Sequence, residues 1–195
     1  MNSIGIIETQ SQRSQIIDLE SKLLQSNIIF LTEQIDSYTV STVQAELLYL
    51  ASKMTPFESQ SNPIVIYINS PGGEIYSCLG LYDIMRLLIG KGYVIETINI
   101  GLAASAAAIL LLSGSEGHRF SLPNSTVMLH QPSSGTIGTV TDMTIDLEEA
   151  VRLKQVLNNI VITHACEDLI PFMERDKYFT AEEAVKYKII DSIKQ

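Results

Sequence analysis

Strand-like and helix-like segments alternate along the middle of this chain. The run IVIYIN, residues 64–69, has the pattern of a buried strand; a turn SPGG follows, and residues 75–89 carry apolar side chains at helical spacing. The same order then recurs, with a strand predicted over 94–100 and an apolar helix over 103–112. Because repeated β-turn-α units favour parallel strands covered by helices, the sequence predicts an α/β fold with a mainly parallel sheet.

The flanking segments extend this alternation. The other predicted elements are helices over 17–26 and 40–54, a strand over 28–31, a loop over 56–63 between two prolines, a short helix opened by a capping box of Thr180 and Glu183, and a closing edge strand over 189–193. With 195 residues, 46% of them hydrophobic, the chain is long and apolar enough to form one domain around its own core. We therefore expect a single domain over 1–195.

Composition also excludes some functions. The net charge is −9 and Lys and Arg are not clustered, so the sequence lacks the positive surface that nucleic-acid binding requires. Cys78 and Cys166 have neither disulfide-framework nor CxxC spacing, and we expect no metal site. The longest apolar run, 102–112, is much shorter than the roughly 20 residues of a membrane helix, and residues 1–15 do not resemble a secretory signal. These features predict a soluble, cytoplasmic protein without membrane contact.

The pattern changes after residue 132. Residues 133–141 alternate small and β-branched side chains around two glycines, which suits an exposed extended segment that contacts a partner. A helix of about six turns is predicted over 141–165, which is long for so small a domain. An exposed extended segment and a long amphipathic helix are liabilities in a monomer, so both features predict self-association.

Ser105 and His130 are the strongest chemical signal. Ser105 lies among small residues in GLAASAAAILLLSG, and His130 follows it in VMLHQP. A serine becomes a good nucleophile when a histidine accepts its proton and a carboxylate orients that histidine. Backbone N–H groups at the Gly72–Gly73 turn and at Ala106 could stabilise the oxyanion that forms. Five acids follow His130, and spacing alone does not rank them: Asp142, Asp146, Asp168, Asp176 and Asp191.

Each of these residues also has a purely structural interpretation. A single serine in an alanine-rich helix is more often a packing residue, a histidine on an apolar strand is more often a core residue, and two glycines can form a simple tight turn. His118 is predicted to be a loop residue. His164 lies at the end of the long predicted helix, where a cation would offset the helix dipole. Neither of these two histidines has a setting comparable to that of His130.

Four motifs together resemble the proteolytic subunits of the Clp protease family, a serine peptidase family. The motifs are INSPGG at 68–73, YDIM at 82–85, GLAASAAAILLLSGSEGHRFSLPNSTVMLHQP at 101–132 and ERDKYFTAEEAVKYKIIDSI at 174–193. The resemblance covers nearly the whole chain. It implies that Ser105 is the nucleophile, His130 the general base and Asp176 the acid. The segment before Asp176 is shorter than in the family pattern, so Asp168 is the second candidate for the acid. It also implies that the backbone N–H groups of Gly73 and Ala106 form the oxyanion hole.

The resemblance further implies a Clp protease/crotonase-like fold and an assembly. Residues 1–16 would line an axial entrance, 17–132 together with 174–195 would form the head, and 133–173 the handle through which two seven-membered rings stack. Glu174 and Arg175 would make contacts between the rings. Unfolded proteins or peptides would be the substrates, delivered by an AAA+ Clp ATPase. That partner would use the ATP, so the chain itself is expected to need no cofactor.

Two alternatives remain open at this point. The chain could be a catalytically weak or regulatory subunit that completes a mixed barrel with a second paralogue. It could also be an acyl-CoA enzyme of the crotonase type, which resembles this fold and uses glycine-turn oxyanion donors. A crotonase needs no Ser and His pair, so the arrangement of Ser105 and His130 distinguishes the two enzyme classes.

Overall fold

The structure, a computed structural model, describes residues 5–10, 13–133 and 135–195. Parts of the predicted entrance segment, 1–4 and 11–12, and residue 134 of the predicted handle therefore lie outside the described residues. The strands are β1 (Gly5–Gln10), β2 (Arg13–Asp18), β3 (Ile28–Leu31), β4 (Ile64–Ser70), β5 (Ile95–Ala104), β6 (Arg119–Ser121), β7 (Thr126–Leu129), β8 (Lys177–Phe179) and β9 (Ser192–Ile193). The helices are α1 (Leu19–Leu24), α2 (Ser37–Lys53), α3 (Pro56–Ser61), α4 (Ile75–Gly90), α5 (Ala106–Leu112), α6 (Val140–His164) and α7 (Ala181–Lys186), with a 3₁₀ helix over Glu167–Glu174.

A seven-stranded sheet forms the centre of the fold. Its main path runs β3-β4-β5-β6-β9, and β7 pairs with both β5 and β8. All these pairs are parallel except β7 with β8. The predicted α/β class with a mainly parallel sheet is confirmed.

The long strand β5 has a different neighbour along each of its halves, and this change of neighbour positions the candidate site. Its first half pairs with β6 through Thr97–Asn99, and its second half pairs with β7 through Leu102–Ala104. Because β5 and β7 are parallel neighbours, their carboxyl ends lie side by side. The residues that follow them are Ser105 and His130, so the pairing of two strands brings these two residues together.

Helix α5 is the most deeply buried helix. All of its residues, Ala106–Leu112, are buried, as expected for a helix that is apolar on every side. It packs with α4 and the sheet in a core of Ile, Leu, Val and Ala side chains. This packing holds the first turn of α5 firmly beside the end of β5.

The predicted loop over 56–63 is wrong, because Pro56–Ser61 is helix α3. The Glu58 backbone N–H donates to the Thr55 hydroxyl, and the Glu58 carboxylate accepts from the Thr55 backbone N–H at 2.6 Å. This capping box begins the helix, and proline is well tolerated in the first turn because its missing N–H would have no helical partner there.

Several other element boundaries differ from prediction. Helix α1 starts at Leu19 because Asp18 caps it and residues 13–18 pair with β1 in a separate antiparallel hairpin. Helix α2 starts at Ser37, where Asp36 accepts the Thr39 N–H, rather than at 40. The strand predicted over 94–100 continues to Ala104, so the helix predicted from 103 begins only at Ala106. The closing edge strand is limited to Ser192–Ile193.

The two halves of helix α6 differ in how deeply their apolar side chains are buried. Its C-terminal half is held against the core by Leu153, Leu157, Ile160 and Val161. Its N-terminal half leaves apolar side chains exposed, among them Val140, Ile145, Leu147 and Val151. The segment before it forms no strand within its described residues, and Ile137 is fully exposed. Across the described ranges, no helix has the length and apolar character needed to cross a membrane.

The predicted role of His164 as a cation at the end of α6 is wrong. Its Nε2 lies 3.0 Å from the Tyr82 hydroxyl, and its carbonyl accepts a hydrogen bond from the buried Arg119 guanidinium. Burial, assisted by the positive charges of Arg86 and Arg119, lowers the pKa of His164 to about 4. The ring is therefore neutral at pH 7 and cannot offset the helix dipole.

His164 should make the folded protein sensitive to mild acid. Its pKa lies near 6.5 in the unfolded chain and near 4 in the fold, so the unfolded state binds more protons between these values. The free energy of unfolding should therefore fall as pH drops from 6.5 towards 4, and His164→Gln should remove this part of the fall. Thermal unfolding of both proteins across pH 4.5–7 checks the prediction, because the carboxylates common to both cancel in the difference. Parallel curves would contradict it.

Candidate active site

Ser105 connects β5 to α5 with an unusual backbone conformation. Its φ is 55° and its ψ is −122°, a region that costs a non-glycine residue on the order of 1–3 kcal/mol. The Ser105 N–H donates to the Met128 carbonyl of β7 at 2.8 Å, and its own carbonyl accepts from Ala108 in α5. Bonds to a neighbouring strand and to the helix thus hold the strained turn from both sides.

His130 links the serine to a carboxylate. Its Nε2 lies 2.8 Å from the Ser105 hydroxyl, and its Nδ1 lies 3.1 Å from Oδ1 of Asp176. With the proton on Nδ1, the ring donates to Asp176 and accepts from Ser105. The three side chains form one continuous chain of hydrogen bonds.

The antiparallel pairing of β7 with β8 brings Asp176 to His130. Leu129 and Lys177 are paired residues, so the residue after β7 and the residue before β8 are adjacent. The Asp176 side chain is 61% exposed, whereas that of His130 is 24% exposed. The acid therefore lies at the solvent edge of the site.

The glycine turn after β4 lies directly against the serine. A Cβ on Gly72, which has a φ of 88°, would lie 2.5 Å from the Ala104 carbonyl oxygen and 2.8 Å from the Ser105 Cβ. The turn is held by the Ser70 hydroxyl, which accepts from the Gly72 N–H and donates to the Glu33 carbonyl at 2.6 Å. Only glycine permits so close an approach, because any other residue at position 72 would clash with the backbone of β5.

Two backbone N–H groups beside the serine remain available as donors. Ile35 bonds to the carbonyl of Gly72 and to the N–H of Glu74, which leaves the N–H of Gly73 outside this bridge. Ala106 is the first residue of α5, where an N–H has no intrahelical acceptor. Within the described part of the chain, neither the Gly73 nor the Ala106 N–H has a hydrogen-bond acceptor. Two donors therefore flank the serine.

A cavity of about 430 Å³ opens beside these groups. Its lining includes apolar side chains from α4, α5, β7 and α6: Ile75, Ile109, Leu129, Leu153 and Leu157. Polar side chains also line it, among them Glu74, Tyr76, Ser133, Asp146 and Glu149. A cavity that combines apolar side chains with polar groups can hold an extended peptide with at least one apolar side chain inserted.

Glu149 of α6 links this helix to α4 across the cavity. It accepts a hydrogen bond from the Tyr76 hydroxyl of α4 at 2.7 Å and two from the Arg152 guanidinium, each at 2.7 Å. Hydrogen bonds from Arg152 and Tyr76 lower the pKa of Glu149 to about 2. The carboxylate is therefore charged across the range in which a protease would work.

The other four candidate acids form no hydrogen bond with His130 in the described part of the chain. Asp168 is exposed on the 3₁₀ helix, Asp142 caps α6, and Asp191 pairs with Arg119 at the far end of the sheet. Asp146 lines the cavity but accepts a hydrogen bond from Thr136. Of the five acids that spacing could not rank, Asp176 is the one hydrogen-bonded to His130.

Both cysteines are free. Cys78 lines the cavity and its thiol donates to the Ala106 carbonyl at 3.4 Å. Burial raises the pKa of Cys78 to about 12, so the thiol remains protonated and is a poor nucleophile. His118 is a loop residue, as predicted, and its Nδ1 lies 3.6 Å from the Glu96 carboxylate.

Comparison with known proteins agrees with this geometry. The sequence profile of the Clp protease family matches residues 10–195. The chain belongs to the Clp protease family. The resemblance inferred from the four motifs is thereby confirmed, and with it the assignment to a family of serine peptidases.

Several relatives of this Clp protease family member are similar over almost its full length. The ATP-dependent Clp protease proteolytic subunit of Bacteroides thetaiotaomicron is 41% identical over 191 residues, which cover 96% of this chain and 83% of the relative. The subunit of the same name from Porphyromonas gingivalis is also 41% identical and is covered to 82% of its length. A Bacteroides fragilis subunit is 40% identical and is covered to 88%.

Sequence reasoning missed some parts of this Clp protease site. Ser70, which supports the glycine turn, was part of the INSPGG motif but was assigned no role. Gln131, Lys154 and Glu174 form a hydrogen-bonded group beside His130 and Asp176. Glu174 was expected to make contacts between rings, and its bonds to Lys154 and Gln131 within the chain were not predicted. No spacing rule relates these three positions, because they come from a loop, a helix and a 3₁₀ helix that meet only in the fold.

Proposed function

We propose that this chain is the proteolytic subunit of an ATP-dependent Clp protease and that it hydrolyses peptide bonds of unfolded proteins. The observation that carries the proposal is the hydrogen-bonded chain from Ser105 through His130 to Asp176. Two backbone donors that have no acceptor among the described residues flank it, and a cavity lined by both apolar and polar side chains opens beside it. A crotonase-type enzyme needs no such serine and histidine, and the family assignment also favours the protease.

The reaction begins with Ser105. Its Oγ attacks the carbonyl carbon of the scissile peptide bond while Nε2 of His130 accepts the hydroxyl proton. The imidazolium then donates that proton to the leaving amine as the C–N bond breaks, which leaves an ester between Ser105 and the substrate. A water molecule then attacks this ester while His130 accepts one of its protons. The imidazolium returns that proton to Oγ as the ester C–O bond breaks, which releases the acid product and regenerates the serine.

Asp176 and the backbone donors stabilise the charges that form. The Asp176 carboxylate accepts a hydrogen bond from the Nδ1–H group of His130, so it fixes the tautomer and stabilises the imidazolium. The N–H groups of Gly73 and Ala106 are the proposed donors to the oxyanion of the tetrahedral intermediate. Such donors are worth about 3–4 kcal/mol each in transition-state stabilisation in serine proteases.

The proposal includes self-association into two stacked seven-membered rings. The exposed apolar side chains on the N-terminal half of α6, together with Ile137, support a contact surface there. An AAA+ Clp ATPase would unfold substrates and consume the ATP, and we expect the chain itself to require no cofactor or metal. The proposed location is the cytoplasm.

A regulatory subunit of a mixed barrel remains a second candidate. The observation that favours it is the 61% exposure of the Asp176 side chain, since water competes there for the hydrogen bond to His130. Such a subunit would assemble and would regain activity only when mixed with an active paralogue.

A fluorophosphonate distinguishes the two candidates, because it phosphonylates only an activated serine. We expect intact mass spectrometry to show one adduct per chain, carried by Ser105 and absent from Ser105→Ala. Native mass spectrometry of the same sample reports whether the chain has assembled. An assembled protein without an adduct would contradict the protease proposal and favour the regulatory subunit.

A further inference from the structure

A lysine on the long helix reaches the two segments that carry the base and the acid. The Lys154 ammonium donates to Oε1 of Gln131 at 2.9 Å and to Oε1 of Glu174 at 2.7 Å. Gln131 is the residue directly after His130, and Glu174 lies two residues before Asp176. Lys154 itself does not line the cavity.

The two segments are also bonded to each other at the same place. The Gln131 backbone N–H donates to the Met173 carbonyl at 2.5 Å, and its side-chain amide donates to the Glu174 carbonyl at 3.0 Å. With the two bonds from Lys154, these contacts form a closed group of hydrogen bonds. We call Lys154, Gln131 and Glu174 the clamp.

His130 and Asp176 are flanked along the chain by two contacts between their segments: the β7–β8 strand pairing on one side and the clamp on the other. Leu129 and Lys177 are paired in the β7–β8 ladder, while the clamp joins 131 to 173 and 174. His130 and Asp176 therefore lie between two points at which their segments are held together. The distance between these two side chains depends on both points.

Apart from the hydrogen bond to His130, few contacts orient the Asp176 side chain. Its carboxylate is 61% exposed, and among the described residues its hydrogen-bonding partner is His130. A buried acid would be fixed by surrounding donors, but here the position of the backbone before β8 must orient the carboxylate. The clamp fixes that backbone at Met173 and Glu174.

We propose that Lys154 is a positioning residue that keeps Asp176 in hydrogen-bonding register with His130 by holding Gln131 and Glu174 together. This inference rests on the proposed function. The Lys154 side chain is 34% exposed and that of Glu174 is 56% exposed, so the ion pair adds little to the stability of the fold. Its effect on turnover is larger, because catalysis depends on the geometry of the reacting groups to within about 1 Å.

The test is the kinetics of Lys154→Met with a fluorogenic peptide. We expect kcat to fall about tenfold, an order-of-magnitude figure for partial misplacement of the acid, with KM changed less than about twofold. Lys154→Arg should restore most of kcat, because a guanidinium keeps the charge and the donors. Lys91→Met, an exposed lysine at the end of α4, is the control and should retain wild-type kinetics.

Three outcomes would overturn the proposal. The first is an unchanged kcat in Lys154→Met, and the second is a rise in KM without a fall in kcat, which would indicate substrate binding. The third is a fall in kcat that follows loss of assembly in native mass spectrometry, which would assign Lys154 to a subunit contact. Failure of the proposed function itself is recognised separately, because the wild-type protein would then show no hydrolysis that depends on Ser105.

Discussion

Ser105→Ala is expected to lower kcat for peptide hydrolysis by about 10⁵- to 10⁶-fold, the range seen when the nucleophile of a serine protease is removed. Without the hydroxyl, His130 has no proton to accept and no acyl-enzyme can form. The remaining rate would come from the backbone donors and from substrate binding alone. Hydrolysis of a fluorogenic peptide by the purified protein measures the effect.

The fold of the Ser105→Ala protein should be preserved. The serine makes its structural contacts through the backbone, with Met128 and Ala108, and these remain when the side chain is shortened. Ser113→Ala is the matched control, since Ser113 lies at the other end of α5 and its hydroxyl bonds to Leu110. An assembled Ser105→Ala protein with wild-type turnover would show that the reaction uses another nucleophile.

Asp176→Asn is expected to lower kcat by about 10³-fold, somewhat less than the roughly 10⁴-fold loss known for a fully buried triad acid. An asparagine can offer its NH₂ group to Nδ1, which moves the ring proton to Nε2. Nε2 then cannot accept the Ser105 proton, and the imidazolium also loses its counter-charge. The smaller effect follows from the exposure of Asp176, since water can partly take its place.

Asp168→Asn is the matched control for this prediction. Asp168 lies on the 3₁₀ helix that precedes Asp176, is exposed, and forms no hydrogen bond with His130 among the described residues. We expect its variant to retain wild-type kcat. A large loss in Asp168→Asn together with wild-type activity in Asp176→Asn would mean that the working enzyme uses a different acid from the one bonded to His130 here.

Local sequence patterns predicted much of the fold. The α/β class follows from the alternation of β-branched runs with apolar periodicity, and both β4 and α4 lie close to their predicted positions. The errors lie at boundaries, in one short helix where capping decides the outcome, and in the unpredicted strands β1, β2, β6 and β8, whose pairing partners are set by the fold. Thr55, Pro56 and Glu58 carry the signal for α3, but two prolines near each other favoured a loop.

The sequence by itself determined which chemical groups were available. It showed a serine among small residues, a later histidine, a glycine turn after a strand, and the motifs that resemble the Clp protease family. These signals are local, because each rests on neighbours within a few positions. They could not rank five aspartates, and they predicted a charge on His164 that burial removes.

Only the tertiary structure decided which groups meet. Asp176 reaches His130 because β8 pairs antiparallel with β7, a contact across 46 positions of the chain. Ser105 reaches His130 because β5 changes its neighbour from β6 to β7 along its length. Lys154 joins the two segments because α6 packs beside them. Strand register and helix packing are set by burial of the whole core, which no local pattern of residues records.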